Sequence, residues 1–165
     1  MAAKTGDKMA IFLNSRCDKH RSFTNRSRHA INVGGDMWPT VDHYIAAQRF
    51  SCPELREHVR ESDYAFEAKV LARKYPEKLR TDWEDVRESL MEEALRAKFS
   101  AHSDLASELA STGSEEIIDA TPCSSFWGAG MAGTGLNKLG QLLMKVRKEL
   151  QSGGYEPRHW LDAAI

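Results

Sequence analysis

The sequence predicts a compact α+β domain dominated by helix, and three observations support that class. Short apolar or alternating runs of strand type fall in the first fifth of the chain, at 9–13 and 29–33. Beyond Trp38 the apolar residues recur at helical spacing instead, with proline, threonine and glycine where helices start and stop. At 165 residues, 41% of them apolar and 28% charged, the chain is long enough for one domain with a core that needs no disulfide or metal to hold it. The expected division is a flexible N-terminus at 1–8, a folded domain at 9–151 and a C-terminal tail at 152–165.

Taken in order, Met9 to Leu13 reads as a short buried strand leading into a polar, basic loop from Asn14 to Arg28. His29 to Val33 alternates as a half-buried strand does, and Gly34-Gly35-Asp36 supplies a turn. Trp38-Pro39 then cannot continue a helix, whereas Thr40 is a good N-cap, so a helix is expected from Val41 toward Phe50. This places Asp42 in the first helical turn, where the macrodipole favours a negative charge. Arg49 follows two turns later on nearly the same face, and Tyr44 and Gln48 form a second pair one turn apart.

Ser51-Cys52-Pro53 restarts a helix with proline in its favoured first position, running to about Arg60. The next helix spans about Tyr64 to Lys74, with Phe66, Val70 and Arg73 as its stripe, and Pro76 ends it. Thr81 and Glu84 have capping-box spacing before a long helix whose expected core stripe is Trp83, Val86, Leu90, Ala94 and Ala97. A shorter helix from Asp104 to Ala110 stops at Gly113, and Ile117-Ile118 reads as a brief strand. Asn137 is the expected cap of the last helix, which carries Leu139, Leu142, Leu143, Val146 and Leu150 and ends before Ser152-Gly153-Gly154.

Charge and cysteine content narrow the function classes. A net charge of -1 argues against a broad nucleic-acid surface, although Lys19, His20, Arg21, Arg26, Arg28 and His29 form a local basic run, read as a solvated loop or a small patch for a polynucleotide. Cys17, Cys52 and Cys123 are odd in number, and no pair has metal-ligand spacing. A reduced, cytoplasmic setting is therefore expected, with no metal and no cofactor. The first residues lack the apolar region of an export signal, and no apolar run approaches the length of a membrane span. Oligomeric state is left open.

Chemistry concentrates in the stretch from Phe126 to Asn137. Gly128, Gly130, Gly133 and Gly135 let backbone N–H groups approach an anion closely, and the loop feeds a helix N-terminus. Gly128 to Gly133 has the GxGxxG spacing, but no βαβ unit surrounds it and no acid follows at the dinucleotide-binding distance. Trp127 stands beside it, an indole suited to stacking on a flat heterocycle. A mobile turn and ordinary core packing remain the plain readings of these residues.

Four blocks in one order resemble the NADAR (NAD- and ADP-ribose-associated), or YbiA-like, family. Trp38-Pro39-Thr40 through Gln48-Arg49-Phe50 is similar to its WPTxEHYFQAQKF. Leu79-Arg80-Thr81-Asp82-Trp83 resembles its LRxDW, and Met91 with Ala94 to Phe99 its MxxALRAKF. Trp127-Gly128 through Gly135-Leu136-Asn137-Lys138-Leu139-Gly140 and Leu143 to Arg147 resembles its WGxG…GxNxLGxxLMxVR. The resemblance runs from about Phe23 to Leu150.

It implies a mostly helical α+β domain that hydrolyses the C–N bond between ribose and a base. The substrates so implied are phosphorylated aminopyrimidine intermediates of riboflavin synthesis, or ADP-ribosyl groups on guanine, free or in a nucleic acid. By position Asp42 takes the place of the catalytic Glu, with Asp119 as a second carboxylate and Trp83 as the site tryptophan. Substrate binding falls to Asn25, Trp38, Tyr44, Gln48, Arg49, Lys69, Arg73, Trp127, Gly128, Gly130 and Asn137. Three positions depart from the pattern: Asp42 replaces Glu, Ser124 an Asp, and Arg26 the last Phe of an FSNF motif that is here Phe23-Thr24-Asn25-Arg26. These departures keep a second possibility open, a module that binds ADP-ribose or NAD without hydrolysing it.

Overall fold

The computed structural model describes residues 10–13 and 20–153. Cys17, Lys19, the expected N-terminal segment and nearly all of the expected tail, with Trp160, lie outside them. The described residues form six α-helices and four short strands, as the predicted mostly helical α+β class requires. Strand β1 (Ala10–Leu13) pairs in parallel with β4 (Glu116–Asp119), Leu13 opposite Asp119. Strand β2 (Ile31–Val33) pairs with β3 (Asp36–Trp38) across Gly34 and Gly35, which have φ of 66° and 93°. Two adjacent positive φ values make the tight primed turn that suits an antiparallel hairpin, and glycine adopts them without steric cost. The turn was legible in the sequence, but the strand that follows it was not.

Helix α1 (Val41–Ala47) begins as expected, with the Thr40 hydroxyl accepting the His43 N–H at 3.2 Å. It stops at Ala47, short of the expected Phe50, because Phe50 leaves the helix to bridge Leu79. Helices α2 (Pro53–Glu61) and α3 (Glu67–Lys74) follow. In α3 the expected stripe is corrected: Phe66 is 61% exposed and Val70 45%, while Ala68 and Leu71 are buried. Ala68, Leu71, Ala72 and Tyr75 have equally good helical spacing, and the neighbouring core selects that stripe.

Helix α4 (Trp83–Ala101) is the spine of the molecule, contacted by α1, β2, α5 (Ser103–Ser111) and α6 (Lys138–Gln151). Its buried face is Met91, Ala94, Leu95, Lys98 and Phe99, so of the expected stripe only Ala94 is fully enclosed. Partners on several flanks leave Trp83, Leu90 and Ala97 half-buried at the margins, and a lysine in the buried face disguises it in the sequence. The expected capping box is also corrected. Asp82, not Thr81, precedes the helix, and its carboxylate is held by the Arg80 guanidinium through two bonds of 2.8 Å. Helix α6 buries Leu139, Leu142, Leu143 and Val146 as its spacing predicted, with Leu150 half-buried.

Candidate active site

Asp42 is the second residue of α1, and the chain fixes it from outside the helix. Its backbone N–H, one of the donors a helix start leaves without an internal partner, bonds to the Asn25 carbonyl at 3.0 Å. Its carboxylate is 40% exposed and lies 3.7 Å from Nε of Arg26, itself 70% exposed. Asn25 turns its amide toward Met91 of α4, Nδ2 at 3.5 Å from the sulfur, and its Oδ1 is buried without a partner among the described residues. One turn of chain thus holds Asn25 and Arg26 against Asp42, a grouping the FSNF-like segment hinted at.

The other predicted α1 residues take different places. Trp38 is buried with its indole N–H unpartnered among the described residues, its ring meeting the Tyr44 ring edge-on at 5.4 Å. Tyr44 donates its hydroxyl to Glu93 of α4 at 2.9 Å. Burial, then that carboxylate, pushes the Tyr44 pKa well above its ordinary value, so the phenol stays protonated. Gln48 closes the helix, its N–H on the Tyr44 carbonyl at 2.9 Å. The Arg49 guanidinium sits 5.8 Å from the centroid of the Trp83 ring, uniting a predicted residue just past α1 with one at the start of α4.

Across α4 lies the loop that joins β4 to α6. Phe126 meets Trp127 edge-on at 4.9 Å, and the Arg87 guanidinium stacks 3.4 Å over Phe126 while pairing with Glu84 at 2.5 Å. Lys138 reaches Glu88 at 3.1 Å. Residues 84, 87, 88 and 91 share one helix face, so Phe126 with Trp127 and Asn25 with Asp42 flank the same stripe of α4. Arg87 and Met91, the points where they touch it, are about 6 Å apart along the axis. Arg87 carried no motif signal; a cation among half-buried residues one turn after Trp83 was its only trace.

The loop itself is tied inward. The N–H groups of Gly135, Leu136, Asn137, Lys138 and Leu139 bond to the carbonyls of Ala129, Ser125, Gly128, Phe126 and Trp127. The expected anion cradle at the start of α6 is therefore corrected, since that helix end is closed by the loop's own carbonyls. Asn137 holds the N-cap position of α6 as expected, but its side chain makes no cap bond: at φ 49° it accepts the Asp119 N–H at 2.9 Å and donates to the Ile117 carbonyl at 2.8 Å. Asp119 is buried, with Oδ1 on the Thr121 hydroxyl and N–H at 2.6 and 3.0 Å. Gly128 rests directly on it, and a Cβ there would come within 2.6 Å of the Asp119 carbonyl. The outer side of the loop is an open cleft of ≈ 560 Å³, with Cys123, Ser125, Phe126, Gly130, Met131 and Leu136 among its walls; Asp42 and Trp83 do not line it. Lys69 and Arg73 are exposed on α3, and among the described residues no hydrogen bond, ion pair or ring contact joins them to Asp42, Trp83 or Trp127.

The NADAR domain family matches residues 8–151. The chain belongs to the NADAR family. It is 38% identical over 136 residues to the N-glycosidase YbiA of Escherichia coli, covering 82% of this chain and 85% of that protein. It is 36% identical over 155 residues to a riboflavin biosynthesis protein of Vibrio vulnificus, covering 93% of this chain and 42% of that longer one. The NMR structure of Escherichia coli YbiA superposes with a TM-score of 0.80 at 35% identity, covering 93% of this chain and 91% of that one.

Ser124 has a structural part at this corner. Its hydroxyl oxygen accepts the N–H groups of Trp127 and Gly128 at 3.1 and 3.3 Å, holding the Trp-Gly corner without a charge. Arg26 brings a cation to the Asp42 carboxylate.

Proposed function

We propose that this NADAR protein is an N-glycosidase that hydrolyses the ribose C–N bond of a phosphoribosyl-aminopyrimidine, an early riboflavin intermediate. Relatives named N-glycosidases, and one named for riboflavin biosynthesis, support the reading. The observation that carries it is Asp42: a carboxylate seated on a helix start, anchored through its own N–H, and still open on one side.

Cleavage proceeds through an oxocarbenium-like ribose. Asp42 stabilises that cation from beneath the ring and orients a water toward the anomeric carbon. The water oxygen bonds to that carbon, the C–N electron pair leaves with the base nitrogen, and the water's proton ends on the departing amine. Arg26, beside Asp42, and Arg49, over the Trp83 ring, suit the phosphate, while Trp83 and Trp127 border the base. Asp119 acts from behind Gly128, shaping the corner on which Trp127 stands.

ADP-ribosyl guanine, free or in a polynucleotide, offers the same bond and is the alternative substrate. A binding module for ADP-ribose or NAD is favoured by one observation, the Arg26 cation beside an acid one methylene shorter than the family's. Free thiols at Cys52 and Cys123 suit a cytoplasmic setting.

The test presents purified protein with the aminopyrimidine ribosyl phosphate and with ADP-ribosylated guanosine DNA, and follows release of the base. Turnover of the first substrate, reduced by about 100-fold or more in Asp42→Ala, is expected. Turnover of only the second reassigns the substrate. Ligand-induced thermal stabilisation without release from either substrate selects the binding module, and unchanged turnover in Asp42→Ala removes Asp42 from the reaction.

A further inference from the structure

Lys98 lies in the buried face of α4 with no exposed surface, an expensive place for an ammonium group. Its Nζ donates to the Ser22 carbonyl at 2.5 Å, the Thr24 carbonyl at 2.9 Å and the Ser27 hydroxyl oxygen at 2.6 Å. All three oxygens belong to one six-residue segment. That segment also closes on itself, since the Ser27 hydroxyl lies 2.8 and 2.9 Å from the same two carbonyls. The nearby carboxylate, Glu108 of α5, engages the Ser22 hydroxyl at 3.1 Å and the His20 ring at 3.3 Å. Nζ is therefore held by backbone and hydroxyl oxygens, as a bound cation would be, and its hydrogen-bond partners among the described residues lie in the 22–27 turn.

That turn carries Asn25 and Arg26. Met91, which faces the Asn25 amide, and Lys98 are seven residues apart on α4 and share a helix face, so α4 grips the turn at two points, two helical turns apart. The Asn25 carbonyl then accepts the Asp42 N–H at 3.0 Å, and Arg26 faces the Asp42 carboxylate. Packing alone does not call for a charge here, because a methionine of the same length fills the space without any desolvation penalty.

We propose that Lys98 is a positioning residue of this active site: its Nζ ties the 22–27 turn to α4 and so fixes Asn25 and Arg26 against Asp42. The inference rests on the glycosidase reading of Asp42 and extends it to a residue that touches no substrate. Lys98→Met keeps length and apolar volume while removing the three Nζ bonds, and two measurements on the full chain read the outcome.

Hydrogen exchange at Phe23, Thr24, Ser27 and Asp42 reports the tie itself, and about tenfold faster exchange there than in wild type is expected. Turnover reports its consequence: a kcat about 10- to 100-fold lower with KM nearly unchanged. A double-mutant cycle separates positioning from general loosening, since Lys98→Met acting through Asp42 adds little to Asp42→Ala. Ser27→Ala, which removes one acceptor and leaves the ammonium in place, gives the same changes in smaller measure and serves if Lys98→Met fails to fold. Unchanged exchange in 22–27 in a folded variant, or losses that multiply with Asp42→Ala, overturns the inference. Absence of turnover by wild type sinks the glycosidase reading instead, and the exchange measurement still decides whether the tie exists.

Discussion

The carboxylate of Asp42 and the ammonium of Lys98 occupy opposite environments, and their behaviour follows from that contrast. Asp42 is 40% exposed beside an Arg26 that is 70% exposed, so solvent screens the pair and its contribution to stability is small. Asp42→Asn, which keeps the shape and removes the charge, is expected to change unfolding free energy by less than about 0.5 kcal/mol. The same substitution lowers kcat by about 100-fold, because the amide cannot stabilise a developing cation. Parallel denaturation and turnover measurements check both halves.

Lys98 is the reverse case. Burial lowers its pKa from 10.5 to about 7, with Glu108 pulling weakly the other way. Below about 7 the group is charged in both folded and unfolded chains. Between about 7 and 10.5 the unfolded chain binds the extra proton, so this residue's contribution to stability rises with pH across that window. The neighbouring His29, lowered first by its own burial and then by Lys98 and His102, titrates below 6.5 and leaves the window clear. Denaturation at several pH values is expected to show wild type gaining on Lys98→Met from neutral to alkaline pH; a constant difference contradicts the assignment.

Helices and the loop between β4 and α6 place these groups, and their stability is local. Asn137 stitches that loop to β4 through two hydrogen bonds, so Asn137→Ala is expected to cost about 2–3 kcal/mol by leaving strand groups unpaired. Lys138→Ala, which loses only a half-exposed ion pair with Glu88, costs under about 1 kcal/mol. Gly140 packs so closely that a Cβ would lie 2.1 Å from the Ile117 carbonyl, and Gly140→Ala is expected to cost about 3 kcal/mol. Thermal unfolding of the three variants ranks them. Asn137 shows the limit of reading such a region from sequence: asparagine before a helix signals a cap, and only the neighbouring strand reveals that its amide is engaged elsewhere. The stripes of α3 and α4 failed for a related reason, since 66/70/73 and 68/71/72/75 are equally periodic and the surrounding core selects between them. Thr40, with an unambiguous break before it and a helix after it, was legible.

Across the chain as a whole, the α+β class, the order of most helices and the family were readable because each rests on residues close together in sequence. How Asn25, Asp42, Trp83 and Trp127 are arranged was not, since nothing local states that segments from three other parts of the chain border the helix that Trp83 opens. The 0.80 TM-score with Escherichia coli YbiA at 35% identity shows that the two chains share one backbone fold. The central claim is that the Asp42 side and the Trp127 side of α4 serve one ribosyl ligand. Backbone amide and indole NMR signals of isotope-labelled protein, titrated with ribose phosphate, test it most directly. Concerted shifts with a single affinity at Asn25, Asp42, Arg87 and the Trp127 indole are the predicted result. Shifts confined to the outer cleft around Met131, with Asn25 and Asp42 unmoved at saturation, contradict it.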